Sequence, residues 1–451
     1  MIAARFAALQ RELQPLVDRF DAAGHRLYLV GGTVRDLLVR AATESDDPHP
    51  QVEVDADIDA TTTARPDEIK RCLDGWADAI WTQGERFGTI GAMKRERGVG
   101  DVTQRVYEIT THRAEVYRSD SRRPEVDFSL DIVADLSRRD FTVNAMAIEL
   151  TGTDADRHEP EVVDPFDGAA DLHARRLRTP LAPEQSFADD PLRMLRAARF
   201  ITKYHLRPDP QLIAAVQSMV DRLSIVSIER IRDELHKLLL APAPAEGLRF
   251  CAHTGMWRSI VADTELTADV IRLIDAVAHP ASPRSQERAI DLRLTRLAAL
   301  LTESAEPRRE LRTLRHSTAD VEAVATIVAG CDHILALASG GAVATDGQVR
   351  RLVAAVGSRL PEAMRLAEWR DAPGADVHAV VSRVVALGMA EDLTDLSPEL
   401  DGDAVMRRLG VGAGPEVGAA LAFLRDLRLD AGQVGATEAG ERLARWWRDR
   451  G

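Results

Sequence analysis

The sequence predicts an α+β protein, a small N-terminal α/β head followed by an all-helical remainder. Three observations predict it. Strand-like and helix-like segments alternate through the first third of the chain. From about Asp189 onward the β signals fade and long segments of 3.6-residue period take over. Ala, Leu and Arg abound while aromatic residues make up only 4%, a composition that favours helix. At 451 residues the chain is too long for one compact core, so several domains are expected.

The elements follow in order. Met1 to Phe20 carries Glu12 and Asp18 among its apolar residues and reads as an amphipathic helix, not a signal peptide. Arg26 to Val30 is a short β-rich run ending in Gly31-Gly32, and the stretch from Gln51 to Asp59 alternates strictly. Thr89 to Lys94 and Arg105 to Thr111 are further strand candidates. Ala42 to Pro50 is polar, acidic and Pro-containing, and reads as a surface loop. Thr179 to Glu184, with Pro180 and Pro183, reads as a linker. APAPA at 241–245 and the Gly/Ala-rich stretch 339–347 are later breaks.

Charge and cysteines exclude several classes. The formal net charge of −14 rules out holding nucleic acid by overall attraction, so any such site must be a local basic patch. Cys72, Cys251 and Cys331 share no metal-ligand spacing, and nothing points to an oxidising compartment. No uninterrupted run of 18 apolar residues occurs, so no membrane span is expected and a cytoplasmic location follows by default.

Two stretches carry chemistry. Read as a strand, Val52 to Ala60 puts Val52, Val54, Ala56 and Ile58 on one face and Glu53, Asp55, Asp57 and Asp59 on the other. Acids at spacing two on one face repel unless a cation is shared. A pair of Mg²⁺ ions about 3.5–4 Å apart would supply that charge. A solvated acidic edge strand accounts for the same pattern. Upstream, a strand runs through Gly31-Gly32 into a helix, a turn that brings backbone N–H groups to a phosphate, with Arg35 one turn further on. A tight strand-to-helix turn with Arg35 paired to an acid accounts for it equally.

Together these stretches make the chain resemble the polymerase-β-like nucleotidyltransferase superfamily. Within it, the chain resembles the class II tRNA nucleotidyltransferase and bacterial poly(A) polymerase family. The matching stretches are LVGGTVRDLL at 29–38, DIDATTTARPDEI at 57–69, RFGTIGA at 86–92, YEITTHR at 107–113, RRDFTVNAMAI at 138–148, DPFDGAADL at 164–172, DDPLRMLRAARF at 189–200 and SIERIRDELHKLL at 227–239. The resemblance fixes the metal pair as Asp57 and Asp59, because Thr61, Pro66 and Glu68 then align. Asp55 is left as an extra acid and Glu108 as the candidate third carboxylate. It implies a polymerase-β-like head and two Mg²⁺ ions. It also implies CTP and ATP as substrates and the tRNA 3′ end as acceptor, with CCA addition as the reaction. Poly(A) polymerase, partial CC- or A-addition and a catalytically inactive RNA-binding protein are the alternatives. No membrane and no protein partner is expected.

The same resemblance assigns the nucleotide site. Gly31, Gly32 and Arg35 belong to it, with Asn144 of the RRDFTVNA stretch. Arg139 would contact phosphate or ribose, as its planar donor fork suits. Asp140 would read a ribose hydroxyl, or else cap the helix that follows. Asp190-Pro191 reads as a helix start, with Arg193, Arg196 and Arg199 following at spacing three. By resemblance Asp190 and Arg193 form an amino-acid template. The acid accepts from an exocyclic amino group and the guanidinium donates to the neighbouring acceptor, an order that cytosine and adenine share. Arg196 and Arg199 would neutralise triphosphate. A capped helix with a solvated Arg face gives the same sequence.

The remainder is helical. RLAALL at 296–301 resembles the helix that carries the His-Asp pair of HD phosphohydrolase domains, but Thr302-Glu303 stands at the ligand position, so no metal site is expected there. Residues 401–429 resemble the family's tRNA-binding tail, where Arg407, Arg408, Arg442, Arg445, Arg448 and Arg450 would meet phosphate or simply line an exposed helix end. The expected organisation is a head at 1–178, a neck at 179–245, an HD-like body at 246–370 and a tail at 371–451.

Overall fold

The computed structural model describes residues 2–43, 57–97, 102–115, 126–151, 161–261, 264–279, 289–341, 343–370 and 374–450. The chain forms two compact units, Met1–Ser227 with Phe250–Ser259 and Ile228–Arg249 with Ile260–Gly451.

The first unit is built on a seven-stranded sheet. Its strands are β1 (Leu27–Val30), β2 (Asp57–Thr62), β3 (Ala79–Trp81), β4 (Thr89–Arg97) and β5 (Val102–Thr111). After the separate hairpin of β6 (Arg113–Glu115) and β7 (Val126–Phe128) come β8 (Ala147–Leu150) and β9 (Val162–Val163). The order across the sheet is β3-β4-β5-β2-β1-β8-β9. Among the described residues of this sheet the β2–β5 pair is parallel and the other neighbours are antiparallel.

One face of the sheet is the core. Helix α1 (Ile2–Ala22), helix α2 (Gly31–Thr43) and helix α3 (Pro66–Leu73) supply Leu13, Leu16, Val17, Phe20, Val34, Ile69 and Leu73. These pack on Leu27, Leu29, Ile58, Ala60, Ile90, Ala92, Tyr107 and Ile109. Because strand side chains alternate, the residues between them face the other way. Asp57, Asp59, Gly91 and Glu108 therefore share the second face, as strict alternation in the sequence requires.

One boundary differs from the sequence reading. Helix α2 continues through Thr43, so the segment read as a loop from Ala42 begins as helix. Strand β2 is described only from Asp57 onward; Asp55 and the rest of the 44–56 segment lie outside the described residues.

The rest of the first unit frames the open face. Helix α4 (Ile132–Ser137) is capped by Asp131, whose side chain accepts from the Val133 N–H at 2.9 Å. The DPFDG stretch is backbone punctuation. Asp164 accepts from the N–H groups of Gly168 and Ala169 at 2.7 and 2.9 Å, and Asp167 takes a left-handed φ of 60°. A Cβ on Gly168 would stand 2.1 Å from the Thr142 carbonyl oxygen, so only glycine fits. Helix α5 (Gly168–His173) starts there, followed by β10 (Arg176–Leu177), α6 (Pro183–Asp189) and α7 (Leu192–Tyr204).

The second unit is helical throughout its described residues. Its longest helix, Thr318–Ala338, is apolar and long enough to cross a membrane. It instead packs among neighbouring helices and buries Val321, Val324, Ile327, Val328, Cys331 and Ile334. Arg296, the start of the HD-like stretch, is 1% exposed. It donates to the carbonyls of Leu239, Ala241 and Ile274. The last three helices, Gly402–Leu409, Pro415–Ala431 and Ala436–Arg448, close their own small core of Val405, Ala420, Leu424, Ala439 and Leu443.

Candidate active site

The site begins at the corner between β1 and α2. The helix starts at Gly31 with no intervening loop, at a left-handed φ of 63°. A Cβ on Gly31 would lie 3.2 Å from Arg139 Nη1 and 3.4 Å from Asp59 Oδ2. The glycine is thus needed for close approach as well as for its φ. The β2 strand is pinned to this corner by the Asp59 N–H, which donates to Thr33 Oγ1 at 3.0 Å. The Gly32 N–H is directed at the Asp59 carboxylate.

Asp57 is exposed and Asp59 half-buried, on the same face. In the parallel β2–β5 register Asp59 stands opposite Glu108. Burial pushes the Asp59 carboxyl up to about 6; Arg139 and Arg35 oppose the rise and Glu108 adds to it. A desolvated carboxylate beside a second acid is a place where a cation is favourable. The donors are all carboxylate oxygens, which suits a hard divalent ion such as Mg²⁺. Among the described residues no group of three or more His, Cys, Asp or Glu side chains forms a metal cage.

A cavity of about 310 Å³ opens beside Asp59. It is lined by Gly31, Gly32, Asp59, Thr110, Arg113, Arg138, Arg139, Asp140, Asn144, Asp190, Arg193 and Arg196. Two arginines are placed by one buried acid. Asp135 on α4 takes Arg138 on Oδ1 at 2.8 Å and Arg139 on Oδ2 at 2.9 Å, the i+3 and i+4 neighbours on a helical turn. Burial would raise the Asp135 carboxyl, but the two guanidiniums hold it well below the usual range.

Asp140 is the hub of the opposite wall. Its Oδ1 accepts from the Phe141 N–H and Asn144 Nδ2, both at 2.9 Å. Its Oδ2 accepts from Arg196 Nε at 2.9 Å and Nη2 at 2.6 Å. Burial is again outweighed, by Arg196 and the Asn144 hydrogen bond, and the carboxyl stays ionised far below its ordinary value. These contacts fill its acceptor sites, so Asn144 and Arg196 are presented to the cavity by Asp140. The alternative reading of Asp140, as a helix cap, is not seen. The chain continues into a single 3-10 turn, Thr142–Asn144, with Phe141 at its start.

The helix at 192–204 behaves partly as read. Asp190 Oδ1 accepts from the Leu192 N–H at 3.1 Å, a capping contact made two residues before the helix proper. Arg193 is held by Ser186, through Oγ at 2.9 Å and the carbonyl at 3.3 Å, and by the carbonyl of Arg138. Arg199 is not brought to the cavity. Its guanidinium lies 4.9 Å from the Phe200 ring. Residues three apart drift about 60° around a helix at each step, so the third arginine has turned away from the first.

Arg35 also departs from expectation. It is 3% exposed and lies beneath the cavity wall. Its donors go to Asp36 at 2.8–2.9 Å and to Asn144 Oδ1, and its guanidinium sits 4.1 Å from the Tyr204 ring. It props up the site from below. Glu108 lines a second cavity, shared with Trp81 and Phe87. Thr110, Arg113, Arg138 and the anchoring Asp135 were not singled out from sequence. Arg113 and Arg138 do lie inside the YEITTHR and RRD stretches, and a basic residue within an acid-bearing motif is the signal that marks them.

Residues 27–178 match the poly A polymerase head domain, and residues 205–266 match a segment described as the "probable RNA and SrmB- binding site of polymerase A". The CCA-adding enzyme of Latilactobacillus sakei is 31% identical over 326 residues, 72% of each chain. The chain belongs to the CCA-adding enzyme family. Another member, from Levilactobacillus brevis, is 36% identical over 246 residues, 54% of each chain; this chain spans about half the length of several curated relatives it matches. Among solved CCA-adding enzymes, that of Bacillus stearothermophilus in complex with CTP is 25% identical with a TM-score of 0.71, covering 98% of each chain. The Thermotoga maritima CCA-adding enzyme complexed with tRNA shares the fold, at a TM-score of 0.64 and 21% identity over 97% of this chain and 95% of that one.

Proposed function

We propose that this chain adds CCA to the 3′ end of tRNA from CTP and ATP, without a nucleic-acid template and as a cytoplasmic enzyme. The supporting observation is the cavity that joins Asp59 to the Asp190/Arg193 pair and the Arg138, Arg139 and Arg196 guanidiniums. Asp57 and Asp59 would hold two Mg²⁺ ions, which lower the pKa of the attacking 3′-hydroxyl and offset charge on the departing pyrophosphate.

The remaining work belongs to the chain's own side chains. Arg139 and Arg138, braced by Asp135, present fixed positive charge to the triphosphate. Arg196 and Asn144, braced by Asp140, border the sugar. Asp190 and Arg193 present an acceptor and a donor to the base edge, and the Ser186 and Arg138 contacts fix the donor in place. Positioning and electrostatics suffice, so no covalent intermediate is required.

The test is incubation of tRNA ending at the discriminator base with each NTP and with all four, followed by 3′-end sequencing. The proposal expects C, C and then A, and nothing further. Long A tails would make the chain a poly(A) polymerase. A stop after CC, or addition of A only to CC-ended tRNA, would make it a partial enzyme.

A further inference from the structure

The register of four strands places a row of residues across the open face of the sheet. Trp81 on β3 pairs with Gly91 on β4, Gly91 with Glu108 on β5, and Glu108 with Asp59 on β2. Gly91 is a notch in that row. A Cβ there would stand 2.1 Å from the indole atoms of Trp81, so the ring packs directly over the glycine. Beside it opens a cavity of about 390 Å³, lined by Trp81, Phe87, Glu108 and Arg113 among others. Arg113 borders this cavity and the first one alike.

We infer that this second cavity receives the 3′-terminal nucleoside of the acceptor RNA, with its base stacked on Trp81. The inference rests on the proposed reaction, which needs two substrates on opposite sides of the metal-binding carboxylates. The incoming nucleotide has the basic cavity. The attacking hydroxyl must come from the other side of Asp59 and Glu108, where the second cavity lies. Two strand spacings, about 10 Å, separate Gly91 from Asp59, a span of nucleoside size. The base then rests on the indole and the 3′-hydroxyl reaches the acids. Arg113 stands between the cavities, where the first backbone phosphate would pass.

The chemistry suits the occupant. The nucleotide site must discriminate, and it carries an acid and a guanidinium for the base edge. The acceptor site must accept a different terminal base at each round, and an aromatic plate stacks on any of them. Phe87, 37% exposed, adds apolar surface to the same wall.

The experiment uses full-length protein and a tRNA acceptor-stem minihelix with 2-aminopurine as its 3′-terminal base. Wild type should quench the 2-aminopurine fluorescence on binding, without any nucleotide present. Trp81→Ala should abolish the quench, and Trp81→Phe should restore most of it. In steady-state addition, Trp81→Ala should raise the KM for acceptor about 5- to 150-fold, leaving the KM for CTP unchanged. Unchanged CTP binding by Trp81→Ala would show that the head is folded. An unaltered quench in Trp81→Ala, or a raised KM for CTP with that for acceptor unchanged, would overturn the inference. If wild type quenched the probe in a Trp81-dependent way but added no nucleotide, the proposed reaction would fall and the platform would stand.

Discussion

Arg196 and Arg296 are the same residue type in helices of similar character, and they do opposite things. Arg196, in the first unit, grips the buried Asp140 carboxylate and borders an open cavity. Arg296, in the second unit, is sealed in and donates to three backbone carbonyls. Arg350 and Arg428 of the second unit follow the latter pattern, reaching the carbonyls of Leu429, Asp430 and Asp395 as well as Glu391. A buried arginine on carbonyls ties chain segments together. A guanidinium braced by a buried acid, with one side on a cavity, is positioned to meet a ligand. The partner and the neighbouring void carry the information, not the residue type.

The comparison breaks first at the acids proposed to hold metal. Asp57→Ala and Asp59→Ala should each reduce nucleotide addition to background while tRNA binding, measured by filter retention, persists. Retained addition in Asp59→Ala would remove β2 from the chemistry.

Next comes the tying role. Arg296→Met leaves buried carbonyls without their donor and should cost about 2–4 kcal/mol of stability, read from chemical denaturation. The choice among NTPs should not change. A stable variant with altered selectivity would erase the distinction drawn between the two arginines.

The third effect is on selection. Asp190→Ala and Arg193→Ala should each raise UTP or GTP incorporation relative to CTP and ATP about 5- to 150-fold, the worth of one lost base-edge contact. Asp189→Ala should have little effect. A four-nucleotide competition on tRNA ending in the first added C, and on tRNA ending in CC, measures this. Wild-type selectivity in both template variants would reduce the helix to a capped surface.

The smallest effect is a linkage. In the metal-free protein the Asp59 carboxyl lies at about 6, raised by burial. A raised carboxyl favours the folded state at low pH, and its contribution is lost as pH climbs through about 6. Mg²⁺ binds the ionised form, so it should raise the unfolding temperature above pH 6 and lose that effect below it. Asp59→Asn should abolish the Mg²⁺ increment and, without metal, be the more stable protein at pH 8. Thermal melts across pH with Mg²⁺ or with a chelator decide it.

Much of this site was legible because it depends on short-range periodicity. Alternation alone puts Asp57 and Asp59 on one face, and the Gly-Gly corner announces its close approach. What escaped depends on distant partners. Arg35 looks like an anion ligand until Tyr204 and Asn144, far along the chain, enclose it. Arg199 looks equivalent to Arg193 until helical drift is followed for two steps. Asp135 is an ordinary acid in sequence, yet it fixes both arginines of the RRD stretch. The Trp81–Gly91–Glu108–Asp59 row exists only once three strand registers are known together.

The position of β1 bears on how the protein is born. Val30 pairs with Ala147, so one flank of the strand beside the metal acids is covered only by residues made much later. The other flank waits for Thr62 and Ala60 of β2, and β2 in turn waits for β5. A nascent chain leaving the ribosome would carry β1 half-paired until β8 has emerged. Long-range pairings of this kind fold slowly and leave strand edges open in the interval. Until β8 has been made, the open edge of the sheet is that of β1.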